Sequence, residues 1–157
     1  MLKYKDTAVV FEEIPDCVTL AINVTNCPFH CKGCHSPYLR MDIGEELTKF
    51  AMDELLKKNS GVNCVLFLGD GNDIESLCDM SLYVKATHPE LKTAIYSGYE
   101  EVLDAYKCVF DYIKTGGYDE SKGPLNSLTT NQRLYRNNNG FLEDITRLFW
   151  EKIGDLL

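Results

Sequence analysis

The chain has no run approaching the roughly 20 apolar residues that a membrane-spanning helix needs. Its first residues, MLKYKDTAVVFEEIPD, lack the apolar stretch of a secretory signal. The expected compartment is therefore the cytoplasm, where thiols stay reduced, and no membrane partner is expected. Low-complexity tracts, internal repeats, blocks of like charge and Ser/Gly linkers are also missing. The 157 residues read as one domain, 1–157, long enough to bury a core without covalent staples. Positive charge is in deficit: 16 Lys and Arg face 24 Asp and Glu, for a formal net charge of −8. Such a surface repels phosphate backbones, so nucleic acid is not an expected partner. An even cysteine count is absent too: seven cysteines do not suit a secreted disulfide framework. Four of them, Cys17, Cys64, Cys78 and Cys108, stand at scattered apolar or amphipathic positions and read as small buried hydrophobes.

What is present is an alternation of strand-like and helix-like stretches. Residues 18–24 (VTLAINV), 63–68 (NCVLFL), 92–97 (KTAIYS) and 108–114 (CVFDYIK) are apolar and β-branched, the mark of buried strands. Between them, residues 44–59, 74–87 and 99–106 have helical character. In the first of these helices the expected apolar face is Leu47, Phe50, Ala51, Leu55 and Leu56. Residues 7–14 add a strand outside the repeat, 115–140 read as a Gly-, Asn- and Pro-rich loop, and 141–157 as a closing helix. Strand–loop–helix repetition predicts an α/β fold with parallel core strands and helices outside. A complete eight-unit barrel takes about 250 residues, so an incomplete TIM-like barrel is expected. Ligands in such folds gather at the carboxyl ends of the strands. The unusual loops all fall there: the cysteine loop, GDGND, SGY and TGGY.

The cysteine loop, NCPFHCKGCHSP at 26–37, carries Cys27, Cys31 and Cys34 in the spacing C-x3-C-x2-C. Pro28 and Gly33 suit so tight a turn. Thiolate-rich sites select zinc or iron–sulfur clusters. Structural zinc wants four protein ligands, and His30 or His35 would have to supply the fourth. A [4Fe–4S] cluster takes four cysteines as a rule; with three, one iron stays free to bind a small molecule.

This spacing resembles the signature of the radical S-adenosylmethionine (SAM) superfamily. Within it, CPFHCKGCHSPYL, IYSGY (95–99), FDYIKTGGY (110–118) and GPLNSLTTNQRLYR (123–136) are similar to segments of the activating enzymes of anaerobic ribonucleotide reductases. Ser36 and Tyr38 replace the Asn and Glu usual there, and LGDGND puts Asp70 where the superfamily has the second glycine of its Gly-Gly-Glu motif. The resemblance implies a radical SAM type of partial barrel, in which Cys27, Cys31 and Cys34 ligate a [4Fe–4S] cluster and carry the catalysis through it. It implies that Phe29 and Gly33 lie at the cluster. Gly69, Asp70 and Gly71 would meet the methionine part of SAM, and Ser97 and Gly98 its ribose or carboxylate. Lys114 would pair with the carboxylate. His35 would tune the cluster, and Asn131, Gln132 and Arg133 would belong to the cofactor pocket or a partner surface. The implied reaction reductively cleaves SAM to a 5′-deoxyadenosyl radical, which takes a hydrogen atom from a glycine of the reductase large subunit. A one-electron donor such as flavodoxin or ferredoxin would reduce the cluster. The alternatives are a radical SAM enzyme with another substrate, a protein that keeps the cluster without SAM cleavage, and a metal-stabilised, non-catalytic binding domain.

Overall fold

A computed structural model describes residues 1–31, 33–34 and 36–156. In chain order the elements are β1 (Lys3–Val10), β2 (Thr19–Val24), a 3-10 turn (Pro37–Arg40), β3 (Glu45–Glu46), α1 (Lys49–Lys58), β4 (Cys64–Leu68) and α2 (Ile74–Thr87). Then come β5 (Lys92–Tyr96), α3 (Asp104–Lys107), β6 (Tyr112–Thr115), β7 (Arg133–Asn138), β8 (Phe141–Asp144) and α4 (Arg147–Leu156). Among the described residues no helix is long and apolar enough to cross a membrane.

Among the described residues, eight strands form one open sheet in the order β3-β1-β2-β4-β5-β6-β7-β8. The central strands β2, β4, β5 and β6 run parallel. The flanks differ from the all-parallel expectation: β1 pairs antiparallel with β2 and β3, and β7 with β6 and β8. The chain is an α/β protein with a mixed, unclosed sheet.

Alternate residues of the central strands feed two cores. On one face Leu20, Ile22, Val65, Phe67, Ile95 and Ile113 pack with Met52 and Leu56 of α1, Leu77 and Val84 of α2, and Tyr106 of α3. On the other, Ala21, Cys64, Leu66, Ala94 and Leu134 pack under Ile14, Leu125, Ile145 and, from α4, Leu148 and Phe149. Three helices thus cover one face and the fourth the other.

Several boundaries depart from the sequence expectation for identifiable reasons. Helix α1 starts at Lys49 because the Thr48 side chain accepts the Ala51 N–H and caps it. Before it, Glu45 and Glu46 pair with Tyr4 and Lys3. Met52, not Phe50, enters the core, and Phe50 is exposed. The helix expected over 99–106 shrinks to one turn at Asp104–Lys107, and residues 108–111 turn before β6 begins. The segment 133–144 is a hairpin rather than loop and helix, turning at Asn139 and Gly140. Both of those residues have positive φ, 52° and 93°, as a two-residue primed turn requires. The first strand runs Lys3–Val10, earlier than the expected 7–14. Leu157, the end of the expected last helix, lies outside the described residues.

Candidate functional site

The cysteine loop leaves β2 and is pinned at both ends. The Asn26 and Cys27 N–H groups donate to the carbonyls of Met41 (3.2 Å) and Leu39 (2.9 Å). Inside it, Cys34 N–H donates to the Cys31 carbonyl at 3.2 Å, with Gly33 in the left-handed region at φ 77°. Arg40 donates to the same carbonyl at 3.2 Å. The left-handed conformation is what calls for glycine at 33; an added β-carbon would lie 2.5 Å from the Glu120 carboxylate, the movable end of a flexible side chain. Cys27, Cys31 and Cys34 are half-buried free thiols. Burial, with the charge of Asp70 behind it, pushes the Cys27 thiol up. His35 lies outside the described residues.

The turns after β4, β5 and β6 close on this loop. After β4, Gly69 and Gly71 have φ of 113° and 63°, while Asp70 is absent from the positive-φ residues. Asp70 therefore carries no left-handed backbone strain. A β-carbon on Gly71 would lie 2.9 Å from Val24, the last residue of β2, just before the cysteine loop. After β5, Phe29 lies so close over Gly98 that a β-carbon there would sit 2.4 Å from its ring. The same ring meets Tyr99 edge-on at 5.0 Å. After β6, a β-carbon on Gly117 would lie 3.1 Å from Cys31 Sγ.

Asp70 ties these turns together. Its fully buried carboxylate accepts from Ser97 Oγ at 2.7 Å, Gly98 N–H at 2.8 Å and Tyr106 Oη at 2.6 Å. Burial and the Asp70 charge raise the Tyr106 phenol far above its ordinary range. Lys114 is buried and donates to the carbonyls of Ser97 and Gly116, both at 2.9 Å. Its ammonium also stands 5.5 Å from the Tyr96 ring centroid. Burial lowers Lys114 to about 8, against the pull of the Asp70 and Cys31 charges.

Beside Cys31 opens a cavity of about 620 Å³, lined by Phe29, His30, Cys31, Gly98, Glu100, Gly117, Tyr118, Asp119, Lys122 and Asn131. That is the size of a small-molecule site. Asn131 donates to the Gly117 carbonyl at 3.0 Å and leaves its own side-chain oxygen buried without a hydrogen-bond partner. Gln132 donates to the Gly116 carbonyl at 3.3 Å and faces a second, more apolar cavity of about 460 Å³ beside Tyr96 and Phe149. Arg133 turns away from the rim, pairing with Asp144 at 2.8 Å and stacking over Trp150.

The rim thus gathers Cys27, Cys31, Cys34, Phe29, Gly33, Gly69, Asp70, Gly71, Ser97, Gly98 and Lys114, and leaves Arg133 out. Tyr106 and Glu100 are rim residues that the sequence reading did not single out. Tyr106 looks there like any apolar helix residue, since only the fold brings Asp70 to it. The donor set, three soft thiols on one tight loop, suits an iron–sulfur cluster. Among the described residues no three His, Cys, Asp or Glu side chains are grouped to hold a single metal ion. A cluster makes a different demand, because each thiolate meets its own iron. No protein-family model, curated protein or solved structure matches this chain.

Proposed function

We propose that this chain is a radical SAM activating enzyme, cytoplasmic, whose open sheet serves as a partial barrel and whose protein substrate is the large subunit of an anaerobic ribonucleotide reductase. One observation carries the reading. The loop bearing Cys27, Cys31 and Cys34 meets the turns at 69–71, 97–98 and 116–117 at the carboxyl ends of four parallel strands, beside a cavity of about 620 Å³. The three cysteines would hold a [4Fe–4S] cluster with one iron left for SAM. The chemistry such a bound cluster and SAM would supply is a 5′-deoxyadenosyl radical for hydrogen abstraction from a glycine backbone, with the electron coming from a donor such as flavodoxin or ferredoxin.

The chain's own residues shape that site. Phe29 covers it and keeps water away, which Gly98 permits by having no side chain. Asp70 has about four acceptor positions and uses three on protein donors, leaving one for the ammonium of SAM. Lys114 adds a buried cation for its carboxylate. The unclosed sheet leaves a side through which a glycine loop can enter.

The test is anaerobic reconstitution with iron and sulfide, then reduction and electron paramagnetic resonance with and without SAM. A reduced [4Fe–4S] signal that changes with SAM and is lost in Cys31→Ala supports the reading. Bound zinc, or a cluster indifferent to SAM, overturns it. A second reading, a cluster protein without SAM cleavage, is favoured by Asp70, whose carboxylate already engages the Gly98 N–H and the Ser97 hydroxyl. Cleavage gained in Asp70→Gly and absent from the parent would select it.

A further inference from the structure

Arg40 is a cation built into the cysteine loop that the contacts to SAM leave unused. It closes the 3-10 turn Pro37–Arg40, shortly after Cys34. The segment 36–41 touches each of the three cysteines. Ser36 N–H donates to Cys34 Sγ at 3.5 Å. The Leu39 carbonyl accepts the Cys27 N–H at 2.9 Å and the Met41 carbonyl the Asn26 N–H at 3.2 Å, so the residues on either side of Arg40 are fixed. From there Arg40 Nη2 donates at 3.2 Å to the Cys31 carbonyl, which also takes the Cys34 N–H. Its Nε is buried and meets no acceptor. Among the described residues no carboxylate forms an ion pair with it. The guanidinium is thus held at the thiol loop with its charge unanswered.

Given the [4Fe–4S] cluster proposed for Cys27, Cys31 and Cys34, on which this rests, we infer that Arg40 sets the cluster's reduction potential, its positive charge favouring the reduced form. An arginine keeps its charge at any working pH. Three thiolates in so small a loop bring negative charge, and each electron taken up adds more. Net charge and hydrogen bonds around the sulfurs are what tune such centres. A charge acts more strongly from a half-buried position than from water. The partner of the guanidinium matters here: an acid would cancel the charge, whereas the Cys31 carbonyl holds it in place and leaves it standing. The one-electron donor loses the electron and the centre gains it. Arg40 makes and breaks no bond in the transfer; it lowers the free energy of the more negative product.

The parent chain, Arg40→Gln and Arg40→Lys are reconstituted anaerobically with iron and sulfide and their iron content is measured. Each is then titrated with dithionite and redox mediators, without SAM, and the reduced centre is followed by electron paramagnetic resonance. In Arg40→Gln the ratio of reduced to oxidised centre at a fixed solution potential should fall about tenfold, a shift of about 59 mV to more negative potential for a one-electron couple. Arg40→Lys keeps the charge and loses the fork, so it should keep most of the parent's ratio. Iron content should be the same in all three. Arg40 belongs to neither core cluster, so the variants should fold; Arg40→Met replaces Arg40→Gln if that one does not. Equal potentials in parent and Arg40→Gln overturn the inference, as does an Arg40→Lys potential that falls as far as that of Arg40→Gln. Lower iron content at an unchanged potential overturns it too, since Arg40 would then only hold the loop's shape. A parent chain that takes up no [4Fe–4S] cluster defeats the cluster reading itself, and the role of Arg40 with it.

Discussion

Asp70 shows how much a single residue can organise. Its carboxylate is the common acceptor for a hydroxyl on β5's end, a backbone N–H one residue later and the phenol of Tyr106 in α3. Hydrogen bonds to a charged group contribute about 1.5–3 kcal/mol each, and buried donors left without an acceptor cost about 1–3 kcal/mol. Asp70→Ala should therefore lower stability by about 3 kcal/mol once the neighbours have relaxed. Tyr106→Phe, which removes one donor together with its need, should lose about 1 kcal/mol. Urea unfolding monitored by circular dichroism checks both, and an unchanged midpoint in Asp70→Ala would dismiss the network. None of this is legible at the residue level. The sequence marks position 70 only as a mismatch with a glycine motif, and the question it raises is one of backbone angle. The fold answers it: positive φ falls on Gly69 and Gly71 and spares Asp70. The cysteine loop is more legible, because C-x3-C-x2-C states its own proximity. Residues 27, 31 and 34 sit on one turn whatever the rest of the chain does.

At the scale of elements, the strands and helices that repeat were readable and the hairpin was not. Strands β2, β4 and β5 and helix α2 fall at or within one residue of the stretches picked by apolar run and periodicity. Such signals are strong where an element is buried on both faces or caps cleanly. The hairpin β7–β8 is half-polar, RLYRNN against FLED, so it has neither apolar run nor clean alternation. Its one local signal is Asn139-Gly140, with Asn138 pairing directly with Phe141. That turn is testable without touching any contact. A β-carbon on Gly140 meets nothing within 4 Å, but its φ is 93°. Gly140→Ala should thus lose about 1–2 kcal/mol from the left-handed backbone alone. Gly61 is the control: it too meets nothing within 4 Å, and it has no positive φ. Gly61→Ala should gain about 0.4–1 kcal/mol by restricting the unfolded chain. Opposite signs in thermal unfolding are expected; a neutral Gly140→Ala would mean the turn is not held as described.

Across the whole molecule, the three cysteines stand apart from what holds the fold, although the rim as a whole does not, since Tyr106 belongs to the core and bonds Asp70. Two clusters, one on each face of the sheet, bury the side chains that carry stability, with Phe67, Leu20, Ile22 and Ile95 fully enclosed on one side and Ile14, Leu66 and Leu134 on the other. Cys27, Cys31 and Cys34 belong to neither cluster. This separation bears on the choice between an enzyme and a metal-stabilised binding domain. Where metal binding makes up for a missing core, chelation unfolds the chain. Here the core does not depend on the loop. The triple variant Cys27→Ser, Cys31→Ser, Cys34→Ser should stay within about 0.5 kcal/mol of the metal-free parent. Phe67→Ala, which empties a core position, should lose about 3–5 kcal/mol. Denaturant midpoints of the parent should likewise change little when bound metal is stripped by a chelator. If stripping or the triple substitution unfolds the protein, the loop is a structural staple and the binding-domain reading replaces the enzyme. If both leave the fold standing, the three thiols are free of any structural duty, as a centre whose work is chemistry requires.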